Sequence, residues 1–257
     1  MNEHGSQIVA HNDVAHNDVA LSPFGASLPE MLEAARCAED NGFAGVWTYD
    51  HLTGTMLDRG HSQDAFVALG AIAAVTTRVR VGPLVANMMN RHPARLALAM
   101  ASLQSVSSDR SVLGLGAGSA PGSRFSGEQT AVGITLLDGP GRRRRLRESI
   151  EVLRQTWAGQ TQHQGEFFEL NEPGLGLELT PTPPIIIGAS GARTVELALE
   201  HADGLNIVVT PNMDDSALTK LLSLVKDSGR SDEFEVSIHV PVDLAHPQGG
   251  PLPDAAN

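Results

Sequence analysis

Four stretches carry groups suited to chemistry, and each begins in or follows a run that reads as a strand. Asp50-His51 closes the run ending Val46-Trp47-Thr48-Tyr49. A carboxylate beside an imidazole offers an acceptor and a group that changes charge near neutral pH, which is what general acid–base catalysis needs. A plain strand-to-loop turn accepts Asp equally well, so both readings stand at this point. Ser111 to Gly118, SVLGLGAG, reads as a buried strand that has lost most of its side chains. Gly116 and Gly118 would let a flat ring or a phosphate approach the backbone. Gly188-Ala189-Ser190-Gly191 leads into a helix from Arg193 to His201. Free N–H groups and the positive dipole end make such a start an anion site, with the Thr194 hydroxyl in reach; an ordinary turn is the alternative. The fourth stretch, RVRVGPLVAN from Arg78 to Asn87, alternates as a strand until Gly82-Pro83 signals a bulge or an edge.

The elements that must position these groups alternate strand with helix, which calls for a parallel sheet covered by helices. Seven strands are readable, at 19–24, 44–49, 79–86, 111–116, 184–188, 205–209 and 234–242. The fold class is α/β, a TIM-barrel-like (β/α)8 that is incomplete, with one strand and two helices fewer than a full barrel. A helix beginning at Leu28 follows the capping box Ser27-Leu28-Pro29-Glu30 and ends at Asn41-Gly42. A second is expected from Ser62 to Thr76 with Ser62 as cap. A third opens at His92-Pro93, a fourth runs from Pro140 to Trp157, and, after the helix from Arg193 to His201, a sixth is capped by Asp214 or Asp215. Residues 119–139 form a polar, glycine-punctuated loop, of a length usually reserved for function or mobility. With Met88-Met89 it is expected to wall a pocket for a hydrophobic or planar molecule. Gly165-Glu166-Phe167-Phe168 is expected as the second arm of a short hairpin at 161–170. The domain reading is a disordered arm over 1–18, a barrel domain over 19–245 and a flexible tail over 246–257. The arm holds a tandem AHNDV repeat, at 10–14 and 15–19.

Composition sets bounds. The chain has 257 residues, which suits one barrel domain, and its formal net charge is −12. That charge argues against nucleic acid as a partner, since phosphate binding needs a basic face. Arg142 to Arg145 is the basic cluster; it reads as a solvated helix start near Glu148 and Glu151, with a phosphate clamp as the minority reading. One cysteine, Cys37, excludes an intrachain disulfide and is expected as a small core residue. No apolar run spans ~18 residues and no leader is visible, so a membrane is not expected and the cytoplasm follows by default. No metal site is expected: a hydrolase on a similar barrel would need more His or carboxylates at strand ends than Asp50 and His51.

NxxNRHPA followed by LGLGAG resembles the bacterial luciferase-like oxidoreductases, which use FMN or the deazaflavin F420. Three further segments fit in order: Ser27 to Leu52 ending WTYDHL, RESIEVLRQTW with GEFFEL after it, and PPIIIGASGARTVELALEHADG. Together they cover roughly residues 27 to 208, and the chain looks like a shortened member.

The resemblance implies a ring at the carboxyl end of the barrel, backed by a bulge with a non-proline cis peptide at or beside Leu84-Val85. Gly82-Pro83 is the alternative place for a cis bond. Leu84, Val85, Ala86 and Asn87 would line the ring, with the Asn87 amide at its polar edge. Gly116, Gly118 and Ser119 would leave room for the cofactor's side chain, and Gly188, Ser190, Gly191 and Thr194 would hold its phosphate. His51 would polarise or protonate a substrate oxygen, and Asp50 would accept a hydrogen bond from cofactor or substrate. Some F420-using relatives carry an acid directly after the glycines. Ser119 stands there instead, which puts sugar-phosphate oxidation in doubt. The implied function is hydride transfer with F420, slightly favoured over FMN-dependent monooxygenation, on a small organic, hydrophobic substrate. The alternative is a non-catalytic flavin-binding protein of the same fold. A homodimer is expected, because an incomplete barrel leaves an open edge.

Overall fold

The computed structural model of the protein describes residues 16–209, 213–230 and 233–240. Most of the arm, the first copy of the repeat and the tail expected over 246–257 lie outside the described residues. In chain order the elements are β1 (Asp18–Leu21), α1 (Leu28–Asp40), β2 (Gly45–Thr48), α2 (Ala65–Val75), β3 (Arg80–Pro83), β4 (Ala86–Asn87), α3 (Pro93–Ser107), β5 (Leu113–Gly116), α4 (Ser126–Ala131), α5 (Gly139–Trp157), β6 (His163–Gln164), β7 (Glu169–Leu170), β8 (Ile185–Ala189), α6 (Ala192–His201), β9 (Gly204–Val208), α7 (Asp215–Asp227) and β10 (Glu235–His239).

The strands form one parallel wall in chain order. β1, β2 and β3 pair in sequence, and β4, β5, β8, β9 and β10 continue the row. β3 and β4 are one strand interrupted at Leu84-Val85, whose peptide is cis; the expected continuous run over 79–86 is therefore broken where the bulge was placed. The wall curls back on itself. The Arg80 guanidinium of β3 donates both nitrogens to Glu235 of β10, at 3.0 and 2.8 Å. Among the described residues, β1 and β10 have no strand partner on their outer sides. Leucine, isoleucine and alanine fill the layer between wall and helices, with Leu69, Ile72, Leu96, Met100, Leu113 and Leu153 fully buried. Burial of such side chains stabilises by about 1.5–3 kcal/mol each.

Local chemistry explains most boundaries. Ser27 and Glu30 form the capping box of α1 as expected. α2 starts later than its expected Ser62, because the Asp64 carboxylate accepts from the Phe66 and Val67 N–H groups at 2.9 and 3.0 Å. Ser62 is instead bridged to Phe24, beyond the end of β1 at Leu21. Cys37 is exposed rather than in the core; the buried stripe of α1 is Met31, Ala35 and Ala38. Residues 165–168 are not a strand arm but the turn between β6 and β7. The Glu148 carboxylate organises that turn by accepting from the N–H groups of Glu166, Phe167 and Phe168.

The arginine run is a solvated helix start only in part: Arg144 is exposed, whereas Arg142, Arg143 and Arg145 are half-buried. Arg145 lies 4.6 Å from the Phe168 ring centroid, Arg144 pairs with Glu166, and Arg142 donates to the Gly118 carbonyl at 2.6 Å. The long polar loop contains α4 and is anchored through it. No described helix is long and apolar enough to cross a membrane.

Candidate functional site

All the groups singled out in the sequence stand at the carboxyl ends of the parallel strands, where a βα architecture leaves loops free to vary. His51 follows β2, and its Nδ1 lies 2.7 Å from Glu128 Oε1, which α4 brings over the strand ends. Glu128 is fully covered. Its second oxygen accepts from the Leu52 N–H at 2.8 Å and the Thr53 N–H at 3.4 Å, and Gln129 Nε2 donates to the first at 2.9 Å. Burial pushes this carboxyl up. The hydrogen bond and charge of His51, with those from Gln129 and Leu52, outweigh burial and hold it below the ordinary glutamate value. A charged Glu128 makes Nδ1 the protonated nitrogen of His51 and leaves Nε2 for exchange with another molecule. The imidazole sits between two rings, 5.3 Å from Phe24 and 4.3 Å from Phe125.

Glu128 is the residue that the sequence did not offer. Directly after the glycines stands Ser119. The acid comes instead nine positions later in sequence, from inside the 119–139 loop. The available signal was that Glu128 is the sole glutamate of that loop.

Asp50 is an acceptor, and its donors in the structure are the protein's own. Its carboxylate is buried and accepts from the two terminal Arg91 nitrogens, at 2.5 and 2.9 Å, and from the Asn87 N–H at 2.9 Å. Those bonds tie the end of β2 to β4 and to the segment after it. Asn87 is buried as well, and its side-chain oxygen accepts from the Met89 N–H.

The glycines also serve a different purpose from the one expected. A Cβ at Gly116 would lie 2.6 Å from the Val85 Cγ2, and one at Gly188 would lie 2.9 Å from the Val85 Cγ1. Gly118, at φ +86°, faces Met89 in the same way. Gly116 and Gly188 thus form the notch that receives Val85 from the bulge between β3 and β4, rather than open space. Leu84 and Val85 are half-buried, Ala86 is buried, and Met88 and Met89 are buried rather than lining an open wall.

Ser190, Gly191 and Thr194 do come together, at the start of α6. No side chain caps that helix. On α5, Arg142 holds the Gly118 carbonyl next to Ser119, while its buried Nε has no partner among the described residues. The buried Gln129 Oε1 likewise has none among them. An uncapped helix start and an orphaned guanidinium nitrogen at the strand ends fit the phosphate and polar chain of FMN or F420, and the bulge fits as a backing for the ring.

A family model described as luciferase-like monooxygenase matches residues 6–248. An F420-dependent glucose-6-phosphate dehydrogenase of Microbacterium testaceum (strain StLB037) is 32% identical over 204 residues, covering 79% of this chain and 58% of that relative. An F420-dependent hydroxymycolic acid dehydrogenase of Mycobacterium tuberculosis (strain ATCC 25618 / H37Rv) is 36% identical over 178 residues, covering 68% of this chain and 47% of the relative. The chain thus spans less than two thirds of the length of these relatives. Among solved structures, an F420-dependent secondary alcohol dehydrogenase in complex with an F420-acetone adduct superposes with a TM-score of 0.74 at 23% identity, over 88% of this chain and 68% of the other. That last likeness speaks to the fold.

Proposed function

The chain belongs to the luciferase-like monooxygenase family, and from that premise we propose that it is an F420-dependent oxidoreductase acting on a small organic substrate. The observation that carries the reading is the His51–Glu128 pair at the strand ends, 2.7 Å apart, with the carboxylate covered and the imidazole partly open. The two curated relatives use F420, which favours the deazaflavin over FMN.

When bound, the deazaflavin supplies a hydride acceptor or donor. The chain's own residues do the rest. Glu128 holds the proton of His51 at Nδ1 and turns Nε2 outward. Nε2 would take the proton of a substrate hydroxyl in oxidation and return it in reduction. Phe24 and Phe125 flank the imidazole, and the covered Glu128 carboxylate orients it. Asp50, Arg91 and Asn87 hold the strand ends in register. Arg142 and the start of α6 supply positive potential for the cofactor's phosphate.

The test is an equilibrium titration of the purified protein with F420 and, separately, FMN, followed by cofactor fluorescence. Micromolar or tighter binding of F420, with FMN weaker, is the expected result. Preference for FMN would move the reading to monooxygenation, checked by oxygen uptake with reduced FMN. Binding of neither would end the enzyme reading.

A further inference from the structure

A second polar pair stands on the same rim and has no part in the scheme above. The Tyr49 hydroxyl, one residue before Asp50, lies 3.2 Å from Nε2 of His239, the last residue of β10. The two rings meet edge to face, 5.9 Å between centroids at 75°. Phe24 joins this pair to the first: its ring is 6.3 Å from Tyr49, stacked, and 5.3 Å from His51. Both members are half-buried, so each keeps a face toward solvent.

The pair is neutral. Burial pushes the Tyr49 phenol up and the His239 imidazole down, and no charged side chain acts on either. The charges of the other wall are consumed internally. Asp50 is neutralised by Arg91, and Glu128 is ringed by donors. A phosphate or carboxylate brought against Tyr49 and His239 would be desolvated with no countercharge, which is costly. A hydroxyl or carbonyl would exchange hydrogen bonds with water for hydrogen bonds with the pair.

We infer that Tyr49 and His239 seat an uncharged hydroxyl or carbonyl group of the substrate, beside His51, and discriminate against phosphorylated and carboxylated analogues. This rests on the oxidoreductase reading only for what happens after binding. Holding β10 to the rest of the wall does not require the pair, since Arg80 and Glu235 do so with two bonds at the amino end of the strand.

The experiment is a titration of the isotope-labelled protein with cyclohexanol and, separately, glucose 6-phosphate, following the His239 ring resonances. They are assigned by their loss in His239→Asn. Cyclohexanol is expected to shift them saturably, and glucose 6-phosphate to leave them in place. Tyr49→Phe should weaken cyclohexanol binding about 2- to 10-fold, the worth of one neutral hydrogen bond. In turnover the same variant should raise KM by that factor and leave kcat within about twofold, since the bond is made equally before and at the transition state. A His239 response to glucose 6-phosphate at the lower concentration overturns the inference. So does an unchanged cyclohexanol affinity in Tyr49→Phe, the outcome expected if the pair only braces the wall. Cofactor titration of the same sample separates the two readings: loss of F420 binding with the cyclohexanol response intact removes the oxidoreductase, not the seat.

Discussion

Replacing Glu128 by Gln keeps shape and volume and removes the charge. Two effects follow. The amide has one oxygen and one NH2 where the carboxylate has two acceptors, and those acceptors now meet His51 and Gln129 on one side and the Leu52 and Thr53 N–H groups on the other. Whichever way the amide turns, at least one buried donor faces another donor, at a cost of about 1–3 kcal/mol. For a chain of this size that lowers Tm by about 3–10 °C. The second effect is on His51. A charge-assisted hydrogen bond contributes roughly 1.5–3 kcal/mol, and its loss from the proton-carrying state corresponds to about a tenfold to hundredfold fall in kcat. The direct assay is the 15N spectrum of the His51 ring at neutral pH. The wild type should show Nδ1 protonated, because Glu128 faces that nitrogen, and Glu128→Gln should shift the proton toward Nε2. An Nδ1-protonated ring in the variant, with kcat reduced less than twofold, would refute the assignment of Glu128 as the residue that positions the proton.

Three other expectations follow from the same geometry. Asp50→Asn leaves the Arg91 guanidinium without its countercharge, and breaking a covered pair of this kind costs about 3–5 kcal/mol, read from denaturant unfolding. Gly116→Ala places a methyl 2.6 Å from Val85 and should destabilise by about 1–3 kcal/mol, with Val85→Ala restoring most of it in the double variant. Glu39 accepts N–H groups from Thr77, Arg78 and Val79; burial opposes its charge, those bonds prevail, and its carboxyl is lowered from 4.5 to about 2. Because the folded value lies below the unfolded one, the stabilisation is complete above about pH 4.5 and is lost as pH falls toward 2. In Glu39→Gln that part of the acid dependence should vanish from the unfolding curve.

What the sequence revealed was local. The capping box at Ser27 and the proline start of α3 are signals carried within a few residues, and both are present in the structure. The strand order followed from alternation of strands with helices. The misreadings were of contacts set by the tertiary fold. Glu128 lies 77 positions from His51, in a stretch with no periodicity to place it. Ser62 and Asp64 are both good caps, and only the bridge from Phe24 decides between them. A glycine in a strand looks the same whether a ligand or a neighbouring valine fills the space beside it, and at Gly116 and Gly188 the neighbour in the structure is Val85. Asp50 reads in the sequence as a hydrogen-bond acceptor, and it is one. Its donor is Arg91, 41 positions away, and no local pattern links the two.

The order of the wall has a consequence for how the chain assembles. With β3 and β4 counted as one interrupted strand, each strand neighbours the next along the sequence, skipping only the small β6–β7 hairpin, so every ladder can form by docking a strand and its helix onto what is already in place. The Arg80–Glu235 and Tyr49–His239 contacts span 155 and 190 positions, and the loop-closure entropy they must overcome is compensated only once the intervening strands are stacked. The end of the wall that carries Tyr49 and His239 is therefore completed in the last step. Thermal fluctuation should reopen it first, with amides of β10 exchanging with solvent ahead of those in β5 and β8.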